Sequence, residues 1–155
     1  MKLSFLFACA LLPMSAISST QALAQNKFTY VAETGKCVDG SGLEGLNSFS
    51  RKIIASTDDA QVLKLSFVNA ECADLRGLHL NNLFLDHWNL KGADLSGAIL
   101  FFAEIEEASL EGAKIGAARL GYTELHGTAD AHTNFGDWPC KQWNDAGILK
   151  IECSY

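Results

Sequence analysis

The chain of 155 residues is long enough for one ordinary domain, and its 48% hydrophobic and 19% charged residues exclude a wholly disordered protein. Its formal net charge of −6 argues against a nucleic-acid binder that depends on phosphate contacts. Both totals include an N-terminal segment that we expect to be removed from the working protein.

This first segment, Met1–Ala24, has the pattern of a secretory signal peptide. Lys2 gives it a positive start, an apolar run follows, and Ala22-Leu23-Ala24 forms a small-x-small cleavage site. Pro13 interrupts the apolar run, which is shorter than the ~20 residues of a membrane-spanning helix, so a retained anchor is the weaker alternative. We therefore predict an exported protein, periplasmic or secreted, with no retained membrane span.

The next segment, residues 25–62, carries no repeat and is rich in Gly, Ser and Asp around Asp39–Gly45. Such residues favour turns and extended chain over long helices. We interpret the segment as a mostly extended N-terminal cap, with a short helix predicted near Asn47–Ala55.

From residue 73 to residue 137 the sequence repeats with a period of five residues. The centre of each unit is Leu or Ile in an almost unbroken series: Leu75, Leu80, Leu85, Leu90, Leu95, Leu100, Ile105, Leu110, Ile115, Leu120 and Leu125. A flat strand turns residues five apart to opposite sides, and a helix spreads them around its axis. The period therefore indicates a backbone that turns a corner in every unit and returns each central side chain to a common interior.

The A-D-L pattern, clearest at Ala73-Asp74-Leu75 and Ala93-Asp94-Leu95, resembles the pentapeptide-repeat family. The resemblance implies an all-β fold, a right-handed quadrilateral β-helix with four units per coil, here with short N- and C-terminal caps. Residues 63–72 fit the register loosely, so we place the β-helix at residues 63–137. Bulky Leu78, Leu83 and Trp88 replace the usual small residue, so they swell the core or dock the N-terminal segment. A helix bundle is the weaker alternative, because the period is not helical.

The last segment, residues 138–155, has enough apolar side chains to form a C-terminal cap, which a solenoid needs at its end. Without the signal peptide, four cysteines remain: Cys37, Cys72, Cys140 and Cys153. An even number in an exported chain favours disulfides. The rod would hold Cys72 and Cys140 farther apart than the ~7 Å that a disulfide allows. Pairs Cys37–Cys72 and Cys140–Cys153 are therefore favoured, and the same separation excludes one zinc bound by all four thiolates.

Residues twenty apart should stack in columns on such a coil. One column holds Asp86, Glu106 and His126, the next holds His87, Glu107 and Gly127, and the same side carries Phe84, Glu104 and Glu124. We interpret this side as a solvated acidic surface open to protein contacts. A divalent-cation site is the alternative, although nothing in the sequence fixes three ligands on one point.

The adjacent side places Phe101, Phe102 and Tyr122 in outward positions. Clustered exposed aromatics are typical of interaction surfaces, so we predict a contact with a partner or a second copy here. The alternative is that a cap folds over them.

Catalytic signatures are missing from the sequence: there is no G-x-S-x-G, H-E-x-x-H, glycine-rich phosphate loop or CxxC pair. Asp130 occupies a central position, and we expect a bulge to turn it outward. We predict no catalytic residue, metal ligand or cofactor, and no nucleic-acid partner.

The leading hypothesis is thus a non-enzymatic exported protein that presents a rigid acidic solenoid surface to a protein partner. One alternative comes from the resemblance, because some pentapeptide-repeat proteins mimic DNA and modulate DNA gyrase. An export signal would separate this chain from that cytoplasmic target. The other alternative is a cation-binding face.

Overall fold

The computed structural model describes residues 27–48, 66–146 and 148–154. The predicted signal peptide lies outside the described residues, as do residues 49–55 of the predicted short helix. Asn47, at the start of that helix, instead forms a parallel bridge with Ala73. The division into signal peptide, two caps and β-helix stays a prediction.

The described repeats form a β-helix-like coil in which each turn hydrogen-bonds to the next. Parallel bridges join residues twenty apart, as between Phe84 and Glu104 or between Asp94 and Lys114. Backbone amides hold each bridge from both sides: around Asp94, the amide of Leu95 donates to the carbonyl of Lys114 at 2.9 Å, and the amide of Lys114 donates to the carbonyl of Ala93 at 2.9 Å. Four five-residue units therefore complete one coil.

The described residues contain strands and no helix. The strands are β1 (Thr29–Val31), β2 (Lys36–Val38), β3 (Glu104–Ser109), β4 (Glu124–Ala129), β5 (Cys140–Asp145) and β6 (Ile148–Ser154). None of the described residues forms a helix long and apolar enough to cross a membrane.

The core is a ladder of central side chains, since the central Leu or Ile of every unit from Leu75 to Ile115 is buried, together with Leu125. Small residues two positions earlier, such as Ala93 and Ala113, are buried beside them and let the walls approach. Where Thr123 takes that position, its hydroxyl donates to the carbonyl of Leu100, which satisfies the buried polar group.

The bulky departures from the pattern belong to the same core. Leu83 and Trp88 are both buried among the central leucines, and Leu78 packs against them while partly exposed. The first coil therefore accommodates large side chains inside, which is the first of the two alternatives that the sequence left open.

The register of the coil slips once, between β3 and β4. Ile105 pairs with Leu125, twenty residues on, but Ala108 pairs with Gly127, only nineteen residues on. The spacing of twenty returns where Lys114 bridges Asn134. Gly127 therefore lies beside Ala108, which corrects the predicted column of His87, Glu107 and Gly127.

The C-terminal hairpin extends one wall of the coil. Strand β6 pairs antiparallel with both β4 and β5, which gives the sheet order β3-β4-β6-β5. The disulfide Cys140–Cys153 joins β5 to β6, and Cys153 is buried against the core. The hairpin thus continues the sheet beyond β4, and its role as a C-terminal cap stays a prediction.

The N-terminal hairpin of β1 and β2 lies against the side of the coil. The disulfide Cys37–Cys72 ties it to the first repeats, as the sequence favoured. Asn47 links the start of the described N-terminal segment to the first repeats. Its side chain accepts hydrogen bonds from the amides of Lys27 and Phe28 and donates one to the carbonyl of Glu71. Its backbone amide donates to the carbonyl of Cys72, which adds Asn47 to the coil.

Candidate interaction surface

One side of the coil concentrates negative charge, and we call it the acidic face. It consists of residues 83–87, 103–107 and 123–127, and it carries five carboxylates: Asp86, Glu104, Glu106, Glu107 and Glu124. Alternation along β3 and β4 positions Glu104, Glu106 and Glu124, because they flank Ile105 and Leu125, which turn inward and are buried. Glu104 and Glu124 are direct partners across the two strands.

The acidic face differs from the rest of the described chain in how its carboxylates are paired. Its ion pairs use histidine: His87 with Glu107 at 3.1 Å and His126 with Glu106 at 3.7 Å. Each is an ion pair only while the imidazole is protonated. Every other ion pair among the described residues uses Lys or Arg, such as Arg76 with Asp74 at 2.7 Å. With five carboxylates and no Lys or Arg, the acidic face carries a net negative charge.

Two stacks of exposed rings stand at the corners that flank the acidic face. Phe102 stacks on Tyr122 with ring centroids 5.0 Å apart, and Phe67 stacks on His87 at 4.5 Å. Phe102, Tyr122 and Phe67 are 60%, 77% and 72% exposed, so none of them contributes to the core. All four residues have φ between 56° and 62°, a left-handed conformation that costs about 1 kcal/mol for a residue with a side chain.

The structure separates Phe101 from this pair. Phe101 is half-buried on the adjacent side, and the guanidinium carbon of Arg119 lies 5.9 Å from its ring centroid. The predicted cluster of three aromatics is therefore an exposed stack, Phe102–Tyr122, beside a ring already covered by a cation. Sequence reasoning missed Phe67, although the column rule finds it twenty residues before His87.

Three potential metal ligands come closer together than the sequence indicated. One ligand atom from each of Glu106, Glu124 and His126 lies within 4.8 Å of the other two. They stand beside an open recess of about 580 Å³ whose lining includes Glu106, Trp143 and Lys150. Two carboxylates and an imidazole suit a borderline divalent cation such as Zn²⁺.

Asp130 lies away from the acidic face and binds the N-terminal hairpin. The slip in register displaces it from the central position, and it accepts hydrogen bonds from the Tyr30 hydroxyl and from the amides of Gly112 and His132. Burial opposes its ionisation, but these bonds outweigh burial and hold the pKa of Asp130 below its usual value. Burial, and then the bond to Asp130, raise the pKa of Tyr30. The hydrogen bond between Tyr30 and Asp130 therefore holds the N-terminal hairpin against the coil.

In comparisons with known proteins, only the coil matches a family. The family of pentapeptide repeats matches residues 71–101 and 85–116, with eight copies of the repeat. Neither the curated proteins nor the solved structures contain a significant match to the chain. The matched residues are those whose units of five build the hydrogen-bonded coil, and this part of the chain consists of pentapeptide repeats.

Proposed function

We propose that this chain is a non-enzymatic, exported protein whose coil, a right-handed quadrilateral β-helix, serves as a rigid scaffold for binding another protein. The binding surface in this proposal is the acidic face with its two flanking ring stacks. A rigid coil keeps these groups in fixed positions, so binding loses little conformational freedom.

The observation that carries the proposal is the pairing of exposed aromatic rings with unneutralised carboxylates. Phe102 and Tyr122 are 60% and 77% exposed, so they leave most of their apolar surface in solvent and lie outside the core. Clustered exposed rings beside charged groups are typical of surfaces that become buried in a complex.

Support for export comes from two independent features. Met1–Ala24 has the pattern of a signal peptide, and the four remaining cysteines form two disulfides, Cys37–Cys72 and Cys140–Cys153. Disulfides persist chiefly in oxidising compartments. N-terminal sequencing of the exported product tests this part, and we expect the mature chain to begin at Gln25. A product that retains Met1 would contradict export by cleavage.

The binding proposal is tested by chemical cross-linking in the exported fraction, followed by mass spectrometry. We expect partner peptides cross-linked to the wild type to disappear in the double variant Phe102→Ala/Tyr122→Ala. The matched control is Leu43→Ala, which removes a side chain that is 63% exposed on the N-terminal hairpin side of the molecule. Equal cross-linking in all three proteins would refute binding at this surface.

A second candidate function is cation binding, which the approach of Glu106, Glu124 and His126 to within 4.8 Å favours. Calorimetric titration of the apo chain with Zn²⁺ tests it. We expect binding that is lost in Glu106→Gln/His126→Gln and kept in Glu107→Gln/His87→Gln, which removes the neighbouring Glu–His pair. If both variants bind Zn²⁺ as the wild type does, this site is ruled out.

A further inference from the structure

We infer that the protein partner is held through arginine side chains of an extended segment laid across the acidic face beside the Phe102–Tyr122 stack. This inference rests on the proposed function and specifies the chemistry of the partner.

Charge complementarity selects a cationic segment. Glu104 and Glu124 are partners across β3 and β4, and like charges in that arrangement repel each other. Neither forms an ion pair with any cation of the described chain. A bound cation would relieve this repulsion as well as form new pairs. Lys150 lies at the recess beyond Glu106, so the most negative part of the face is the end next to the ring stack.

The rings favour arginine over lysine. A guanidinium is planar, forms two parallel hydrogen bonds with a carboxylate and stacks on aromatic rings, whereas an ammonium is a compact and strongly hydrated charge. Phe102 and Tyr122 directly precede the residues of the acidic face at their corner, so one guanidinium can contact a ring and Glu104 or Glu124 together. The chain itself contains the ring contact of this arrangement one column away, where Arg119 lies over Phe101 at 5.9 Å.

The spacing of the carboxylates favours an extended segment. Glu104 and Glu106 alternate with buried Ile105 on β3, so their side chains repeat every ~6.6–6.8 Å along the strand. Alternate side chains on an extended peptide repeat at the same distance. A segment with arginine at every second residue therefore matches the row of carboxylates, whereas contiguous arginines turn alternately away from it.

The test measures binding of short synthetic peptides to the disulfide-bonded chain by fluorescence anisotropy. The probes are a peptide that alternates arginine with threonine, its lysine counterpart, and a peptide of the same composition with contiguous arginines. We expect the alternating arginine peptide to bind roughly 3- to 5-fold more tightly than the lysine peptide, from one exposed cation–π contact. We expect its affinity to fall steeply with salt, because the charges are exposed.

Three variants separate the contributions. Glu104→Gln/Glu124→Gln should weaken binding roughly tenfold, since each exposed ion pair contributes up to ~1 kcal/mol. Phe102→Ala/Tyr122→Ala should abolish the preference for arginine. The control Glu33→Gln/Glu44→Gln removes the same charge from the N-terminal hairpin region and should bind as the wild type does.

The inference is overturned if arginine and lysine peptides bind equally, or if the control variant weakens binding as much as Glu104→Gln/Glu124→Gln. If no arginine peptide binds while cross-linked partners still depend on Phe102 and Tyr122, the arginine partner is wrong and the proposed function stands. If the cross-links are also independent of both rings, the proposed function fails as well.

Discussion

Substituting Gly112 by alanine should release the N-terminal hairpin from the coil. A Cβ atom at Gly112 would lie 2.5 Å from Cζ of Tyr30 and 2.6 Å from its hydroxyl oxygen, so the ring must move. The matched control is Gly77→Ala. Gly77 has the same left-handed conformation, with φ +66° against +69°, and an added Cβ there meets no atom within 4 Å.

The control isolates the contribution of Tyr30. Both variants share the cost of a left-handed alanine, about 1 kcal/mol. Only Gly112→Ala also moves the buried Tyr30 ring. Exposing that ring costs about 1.5–3 kcal/mol, and losing its hydrogen bond to the Asp130 carboxylate costs about 1.5–3 kcal/mol more. The disulfide Cys37–Cys72 keeps the hairpin close, so the ring shifts without leaving entirely. We therefore expect the lower end of the sum, about 3 kcal/mol beyond the control.

Urea denaturation and limited trypsinolysis measure this difference. If the hairpin unfolds with the coil, the free energy of unfolding of Gly112→Ala should be about 3 kcal/mol below that of Gly77→Ala. If the hairpin opens alone, cleavage after Lys36 should accelerate on the order of 100-fold instead. Two variants with free energies within about 0.5 kcal/mol and equal cleavage rates would show that Tyr30 does not secure the hairpin.

Three further predictions concern the core, the C-terminal disulfide and pH. Leu100→Ala, at a fully buried centre, should cost about 2–5 kcal/mol by urea denaturation, and a loss under 1 kcal/mol would contradict a packed ladder. Cys140→Ser/Cys153→Ser should lower stability by about 3 kcal/mol, from a loop of 13 residues. The hydrogen bond between Tyr30 and Asp130 should weaken at both extremes of pH. Its contribution is lost as pH falls through the lowered pKa of Asp130, and it is also lost as pH rises from 10, the usual pKa of tyrosine, towards the raised pKa of Tyr30 in the fold. Urea denaturation as a function of pH tests this. Tyr30→Phe should lose the alkaline part and also weaken the acid part, because the Tyr30 hydroxyl is the first of the hydrogen bonds that lower the pKa of Asp130.

The sequence alone predicts the coil because the rule behind it is periodic. Leu75 and Leu95 occupy equivalent positions in successive coils, so one repeat determines where the others point. The same rule places Glu104 and Glu124 in one column, as the structure pairs them. It fails at Gly127, because Asp130 at a central position indicates a bulge but does not show that the slip already begins after Leu125.

The N-terminal hairpin could not be predicted in the same way. Its contacts are long-range and specific: the Tyr30 hydroxyl reaches Asp130, one hundred residues away. No local pattern around Tyr30 indicates that partner. Phe67 was missed for a related reason, since it precedes the clear repeats and shows its role only beside His87. Periodicity therefore predicts the scaffold, whereas the attachments to it depend on individual side chains.

The contact between Tyr30 and Asp130 also has a consequence for the order of folding. The binding site for the Tyr30 ring consists of residues that leave the ribosome, or emerge from an export channel, long after Tyr30 itself. Each coil can form on its predecessor as the chain emerges, because its hydrogen bonds span only twenty residues. The bond from Tyr30 must wait until the coil reaches Asp130, so the part of the described chain that emerges first completes its contacts only after the coil has formed that far.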